Sequence, residues 1–343
     1  TALHPIESVK PDGVFRIHRQ FAQVFNTMRS PKERLAFLRF LLGKKHLVLI
    51  GADVLDEGYA PDRSRASIDA MSLACAARVT NRIIGFSIND TSSPGLGRRL
   101  KRARQSGTRL FARDAVTHQR LIDAGITDAR LVGDLAVLMP PAEMEELPDG
   151  LRQWFDDHPG KVVGLNFTEV VMGDGPFKQQ LFERVATMAK TLYDERGQRF
   201  VLIPHDDQGG IEYLRELHAV MQRVCPDAVR LVDPMPSAPV LKRIAGSCVH
   251  VFTCRLHLGI ATLGMGRPVT GFPYQGKWEG QFAHFGLAED GLIPKEQLPE
   301  DQAAFTQLFR DCIDASDELA EQVKAKLDEV RALSRANFDG ILT

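Results

Sequence analysis

The sequence lacks the features that mark several common classes of protein. No apolar run approaches the roughly 18–20 residues that a membrane-spanning helix needs. There is no Walker-type glycine loop, no H-E-x-x-H pair and no G-x-S-x-G elbow, which argues against P-loop NTPases, zincins and α/β-hydrolases. The net charge is −1, so no general electrostatic attraction to nucleic acid is expected.

Cysteine is scarce, and the five cysteines are scattered along the chain. Their odd number and their lack of metal-ligand spacing indicate buried thiols in a reducing compartment, and we expect no metal and no cofactor. The N-terminus has neither a signal-peptide pattern nor an initiator methionine, as in a chain that begins inside a longer gene product. A cytoplasmic location is therefore expected.

The length and the order of elements predict two α/β domains. A chain of 343 residues is long for one core, and its 44% hydrophobic and 25% charged content is that of an ordinary globular protein. Apolar runs that are typical of strands alternate with segments of helical period, which indicates parallel sheets. The predicted strands are 46–51, 82–88, 109–112, 129–132, 161–167, 200–203, 229–232, 249–253 and 269–272.

The predicted boundaries follow from a break in this alternation. Turn formers and acidic residues without periodicity fill 139–150, as in an interdomain linker. We therefore expect an N-terminal α/β domain over 1–147 and a second over 148–310, with a cleft between them. A long helical period over 305–338 predicts a C-terminal helix, within 311–343, that packs back across both domains.

The most informative segment is Arg255-Leu256-His257. It follows the apolar run 249–253 and opens a stretch of small residues, which predicts a strand, a turn and a helix. A helix N-terminus attracts anions, arginine matches carboxylate or phosphate, and histidine exchanges protons near neutral pH. An equally common alternative is structural, with the arginine bonded to carbonyl groups and the histidine filling a turn.

Other polar residues follow predicted strands, where open α/β sheets bind ligands. The candidates are Asp53, Glu57, Arg113, Asp134, Asn166 and His205. Each signal is weak by itself, because such residues commonly begin turns or cap helices. Asp114, beside Arg113, is expected to be a structural N-cap.

A loop after the last predicted strand adds Tyr274 and Lys277. Gly276 would let the ammonium group of Lys277 approach a phosphate, where its point charge would complement the planar guanidinium of Arg255. The alternative is an ordinary solvated lysine.

Two basic stretches, 98–104 and 32–45, have two interpretations. Either stretch could bind anionic lipid or a pyrophosphate-linked acceptor. We therefore expect a possible peripheral contact between the protein and the inner membrane surface. Solvated helix faces are the commoner explanation of such runs.

Taken together, these segments resemble the polysaccharide pyruvyl transferase family over about His46 to Leu287. In chain order the carrying segments are HLVLIGADVLDEG, FARDAVTHQRLIDAGI, LVGDLAVLM, VVGLNF, VLIPHDD, CRLHLGIATLGMGRPV and YQGKWEGQFAHFGL. The segment around Arg255-Leu256-His257 is the most specific of them.

The resemblance implies two Rossmann-like domains facing a cleft, as in GT-B enzymes. It implies transfer of pyruvate from phosphoenolpyruvate, bound by the second domain, to two hydroxyls of a polysaccharide or lipid-linked sugar on the first, with a cyclic ketal as product. His257 would be an anion ligand or acid, and Asp53, Glu57 or His205 the base. Substrate-binding residues would be Arg255, Lys277, Arg113, Asn166 and Tyr274.

Two other functions remain open. A nucleotide-sugar glycosyltransferase or epimerase would share the architecture, but such enzymes usually present an acidic residue to the donor ribose, and 258–267 contains none. A catalytically inactive binding relative is the third possibility, since Gly51-Ala52-Asp53 stands where family members usually have a glycine run.

Overall fold

The structure of the chain is a computed structural model. It describes residues 30–52, 54–57, 61–89, 92–148, 150–205, 210–274, 276–287 and 291–341. None of the helices in these ranges has both the length and the apolar character of a bilayer-spanning segment.

The first sheet is parallel and lies in the N-terminal part of the chain. Its order is β1-β2-β3-β4, formed by His46–Ala52, Thr80–Phe86, Arg109–Ala112 and Arg130–Leu131. The helices of this part are α1 (Pro31–Leu41), α2 (Pro61–Ala76), α3 (Pro94–Gln105) and α4 (Ala115–Asp123). The predicted strand 82–88 is shifted, because Thr80 and Asn81 already pair with His46 and Leu47 of β1.

The second sheet is also parallel, and its strand order reverses at β5. The order is β7-β6-β5-β8-β9, formed by Val229–Leu231, Arg199–Leu202, Val162–Asn166, His250–Thr253 and Val269–Gly271. Chains leaving the carboxyl ends of β5 and β8 diverge to opposite sides, which opens a crevice there. The segment after β8 is Arg255-Leu256-His257, so this motif lies at the reversal point.

Helices α5 to α11 accompany the second sheet. They are Leu151–Asp157, Glu169–Met172, Pro176–Arg196, Gly210–Val224, Ala238–Ser247, Leu256–Leu263 and Trp278–Ala283. Between the sheets, the described part of the predicted linker contains a 3-10 turn at Met144–Glu146. It is packed rather than loose, since the Ala142 amide donates to the Pro239 carbonyl at the start of α9.

The C-terminal segment contains two helices instead of the one predicted over 305–338. They are α12 (Gln302–Asp314) and α13 (Ser316–Arg335), which meet at Ala315. The prediction was wrong because the two apolar faces pack in different cores: Phe309 joins the cluster around Phe252, and Val323 joins that around Val251. The predicted boundary at 310 therefore falls inside α12.

The end of the chain contacts the first sheet. Arg82 of β2 donates through Nη1 to the carbonyls of Asn337 and Asp339, at 3.2 and 2.9 Å. The Asn337 amide donates to the Gly133 carbonyl at 3.0 Å. The C-terminal residues 337–339 thus contact the first sheet, while the exact domain limits stay a prediction.

Candidate functional site

The N-terminus of α10 presents Arg255 and His257. Arg255 is the N-cap residue, with an extended backbone, and His257 lies in the first helical turn. The Arg255 amide donates to the Thr253 hydroxyl at 2.9 Å, which fixes the turn between β8 and α10. Both side chains are half-buried. The predicted strand, turn and helix are confirmed at this point.

Arg113, from the other half of the chain, reaches this N-terminus. It follows β3 and is completely buried, and its Nη1 lies 2.8 Å from Asp134 Oδ2 and 3.3 Å from His257 Nε2. Its Nε donates to the Ser87 hydroxyl at 2.7 Å. A guanidinium only donates, so in this contact His257 Nε2 is the acceptor and the ring proton is on Nδ1.

Helix α11 positions the backbone of Arg113 from the second half of the chain. The Gln281 side-chain amide donates to the Arg113 carbonyl at 3.1 Å, and His284 Nε2 lies 2.9 Å from the same oxygen. Arg113 is therefore fixed through both its side chain and its carbonyl.

His205 lies over His257. The two rings are nearly parallel, with an interplanar angle of 6° and centroids 6.5 Å apart. His205 follows β6, whereas His257 follows β8, so the imidazoles come from either side of β5. The two predicted histidines are therefore neighbours.

Asn166 is buried at the end of β5 and connects the adjacent strand ends. Its amide donates to the Ile203 carbonyl at 2.8 Å, and its Oδ1 accepts from the Thr253 hydroxyl at 3.0 Å. These bonds support the turn that carries Arg255 and His257. A direct contact between Asn166 and substrate stays a prediction.

Lys277 lies in a buried cluster that also joins the two halves of the chain. Its ammonium group forms an ion pair with Asp56, and both side chains are nearly inaccessible, at 5% and 0% exposure. The Asn89 amide donates to the same carboxylate at 3.0 Å. Lys277 is therefore not a solvated loop lysine, and its role toward phosphate stays a prediction. Tyr274 is half-buried, with its ring edge-on to Trp278.

Of the two base candidates in the first domain, Asp53 and Glu57, the structure describes only Glu57. Asp53 lies outside the described residues. Glu57 forms an ion pair with Arg65, at 2.8 Å, and accepts from the Ser93 amide. Burial by itself would raise the pKa of the Glu57 carboxyl, but the bonds from Ser93 and Arg65 together lower it. Glu57 is thus held as a carboxylate near neutral pH.

Several residues of this region were not among the predicted site residues. Ser87 and Asn89 follow β2, Asp56 lies in the loop after β1, and Gln281 and His284 lie on or after α11. Their positions after strands were a weak signal for the first three. Within the described ranges, no group of three or more His, Cys, Asp or Glu residues is arranged to hold a metal ion.

The chain was compared with known proteins. A family model described as polysaccharide pyruvyl transferase matches residues 7–276. A search of curated protein sequences gives no significant match.

Solved structures match over most of the chain at low sequence identity. They include UDP-GlcNAc 2-epimerase from Neisseria meningitidis bound to UDP-GlcNAc, at 11% identity and a TM-score of 0.60, with 93% of this chain and 83% of that one covered. The epimerase from Methanocaldococcus jannaschii matches at 10% identity and a TM-score of 0.58, with 92% and 89% covered. These likenesses confirm the predicted fold class, two Rossmann-like domains in a GT-B-like arrangement.

Proposed function

The chain belongs to the polysaccharide pyruvyl transferase family, and on that premise we propose that it transfers the pyruvyl group of phosphoenolpyruvate to two hydroxyls of a sugar. The observation that carries the proposal is the contact between Arg113 and His257, 3.3 Å apart, at the N-terminus of α10. It assembles two guanidinium groups, an imidazole and unpaired helix amides where an anionic donor would bind.

Phosphoenolpyruvate carries a carboxylate and a phosphate, and each needs a cationic partner. Arg255 and the first-turn amides of α10 suit one of these groups, and Arg113 and Lys277 are the cations proposed for the other. Each of these two is also paired with a carboxylate, Arg113 with Asp134 and Lys277 with Asp56. No metal or cofactor is assigned a role in this proposal.

The chemistry requires one proton donor and one acceptor. Protonation of the donor's methylene carbon gives an oxocarbenium-like centre, which a sugar hydroxyl attacks with loss of its proton. The C–O bond to phosphate then breaks, and the second hydroxyl closes the ketal while its proton leaves with phosphate. His257 is the proposed acid, through the proton on Nδ1, and His205, Asp53 or Glu57 is the proposed base.

The acceptor is proposed to be a cell-surface polysaccharide or its lipid-linked precursor, modified in the cytoplasm. Exposed cations on α3, namely Arg98, Lys101 and Arg102, would suit an anionic membrane surface at which such a precursor is held. Arg99 and Arg104 of the same helix are instead occupied by ion pairs with Asp69 and Asp128.

The test is mass spectrometry of candidate oligosaccharides after incubation with phosphoenolpyruvate. The expected product is heavier by one pyruvate less one water, and inorganic phosphate is released in equal amount. His257→Ala and Arg255→Ala should each lower turnover by about 10²–10⁴-fold while thermal unfolding stays near that of the wild type. Arg223→Ala, which changes an exposed arginine of α8, is the matched control.

Two outcomes would overturn the proposal or its site. Turnover of UDP-GlcNAc, without any ketal product, would point to the epimerase or glycosyltransferase alternative. Wild-type turnover in the Arg255 or His257 variant would remove the N-terminus of α10 from the reaction.

A further inference from the structure

A second cavity, of about 410 Å³, lies where the linker between the two sheets meets three helices. The linker residues 137–141 form one wall. The other walls are α9, the residues just after α10, and the last turns of α13. Its volume is within the range of small-molecule sites.

Four cationic side chains line this cavity: Lys242, Arg243, Arg331 and Arg335. Among the described residues that line it, none carries a carboxylate. Asp328, which is 3.4 Å from Arg331, is 98% exposed and lies outside the lining, so water screens most of that pair. The cavity therefore has a strong excess of positive charge.

Backbone carbonyls hold these cations without neutralising them. Lys242 Nζ donates to the carbonyls of Ala136 and Val137, at 2.9 and 3.0 Å. Arg243 Nε donates to the Ala142 carbonyl at 2.6 Å, and Arg331 Nη2 lies 3.4 Å from the Gly264 carbonyl. Since a guanidinium has five N–H donors and an ammonium three, donors remain on each side chain.

The electrostatic cost of this arrangement is visible at Lys242. Burial, and then the charge of Arg331, lower the pKa of Lys242 to about 8, against a raising effect of Asp134. Gly264 permits the close approach, because a Cβ there would lie 3.1 Å from Lys242 Nζ. A bound anion would offset the repulsion between these cations.

We propose that this cavity is a second anion site, which takes a small molecule bearing a diphosphate group. Three planar guanidinium groups and a lysine, spread around one cavity, match several phosphate oxygens better than they match a single carboxylate. The cavity is distinct from the candidate active site, because it lies at the opposite end of α10. That helix has eight residues, so roughly 12 Å separates its two ends.

The location indicates what an occupied cavity would do. A diphosphate held by Lys242, Arg331 and the linker would connect the C-terminal helix α13 to the junction between the two sheets. It would thereby stabilise one arrangement of the linker. Because α10 connects the cavity to the candidate active site, binding there would also affect the positions of Arg255 and His257. This inference does not depend on the pyruvyl donor.

The experiment is calorimetric titration of the whole chain with inorganic pyrophosphate. The wild type and Arg255→Ala should both bind it in this cavity with similar affinity, whereas Arg331→Ala/Arg335→Ala should lose at least about tenfold in affinity. The matched control is Lys324→Ala/Lys326→Ala, which removes two cations of α13 that do not line the cavity. Arg335→Glu, at an exposed position, tests the same site with little risk to folding.

Each other result overturns the proposal. Absence of pyrophosphate binding to the wild type would show that the cavity is not a diphosphate site. Binding that is lost in Arg255→Ala but kept in Arg335→Glu would place the ligand in the active-site cleft instead. An equal loss in the Lys324/Lys326 control would show only general attraction to α13.

Discussion

His250 has its charge state set by burial. Its ring is fully enclosed in β8, with Nδ1 3.0 Å from the Ser316 hydroxyl and Nε2 2.8 Å from the Thr270 hydroxyl. Loss of hydration lowers the pKa of His250 to about 3. The folded protein therefore keeps this imidazole neutral over a range in which the unfolded chain protonates it.

We expect this difference to appear as acid sensitivity of the fold. Below pH 6.5 the imidazole of His250 is protonated in the unfolded chain but stays neutral in the folded protein. The free energy of unfolding should therefore fall as the pH is lowered from 6.5 to 3. The contribution approaches about 1.4 kcal/mol per pH unit. His250→Gln should flatten the slope in urea unfolding, and the exposed control His46→Gln should not. Equal slopes in all three proteins would contradict the assignment.

Helix α4 begins at Asp114, which was predicted as a structural N-cap, and this prediction is confirmed. Its Oδ1 accepts from the Thr117 amide at 2.7 Å. Its Oδ2 accepts from the hydroxyls of Ser87 and Thr117, at 2.7 and 2.9 Å. Because Ser87 also accepts from Arg113, the cap of this helix and the position of the site arginine are coupled.

Removing this cap should cost more than removing an ordinary one. Asp114→Ala should lower the free energy of unfolding by about 2–3 kcal/mol, since it leaves the Thr117 amide and two hydroxyls without their acceptor. The control is Asp301→Ala, whose carboxylate caps α12 through the Ala304 amide alone, with an expected loss of about 1 kcal/mol. Losses of the same size in denaturant unfolding would show that the Ser87 bond contributes nothing.

Most strands were predicted from local sequence, whereas two helical features were not. The apolar runs of the second half gave β5 to β9 to within about two residues, because buried parallel strands are continuously apolar. The break at Ala315 has no glycine or proline to mark it and follows from packing in two cores. The helix α1 was treated only as a basic stretch, although Ser30 and Glu33 form a capping box that was readable.

Across the whole molecule, the sequence identified Arg255, His257 and Arg113 as candidates but did not predict the contact between them. Arg255 and His257 were found because a strand, a turn and a helix of adjacent residues carry them. Their contact with Arg113 joins residues 144 positions apart, and it depends on how the two sheets are placed. Residue types alone do not specify that placement, so the bonds of Arg113 to Asp134, itself a predicted strand-end candidate, and to Ser87 could not be predicted.

The placement of the two sheets also buries Lys277 against Asp56, and we expect this ion pair to contribute to the stability of the whole molecule. Loss of one member leaves a charge in the interior, so Lys277→Met should lower the free energy of unfolding by about 3 kcal/mol or more. Asp56→Asn/Lys277→Met should recover part of the loss, because the remaining amide is neutral.

The control for this prediction is Lys295→Met, which alters an exposed lysine of the same half of the chain and should be nearly neutral. Unfolding of all three variants is compared with that of the wild type in urea. If Lys277→Met unfolds like the wild type while pyruvyl transfer collapses, the lysine binds phosphate rather than joining the two halves. If stability falls and the double variant recovers it, the buried pair is what holds the loop of Lys277 against the first sheet.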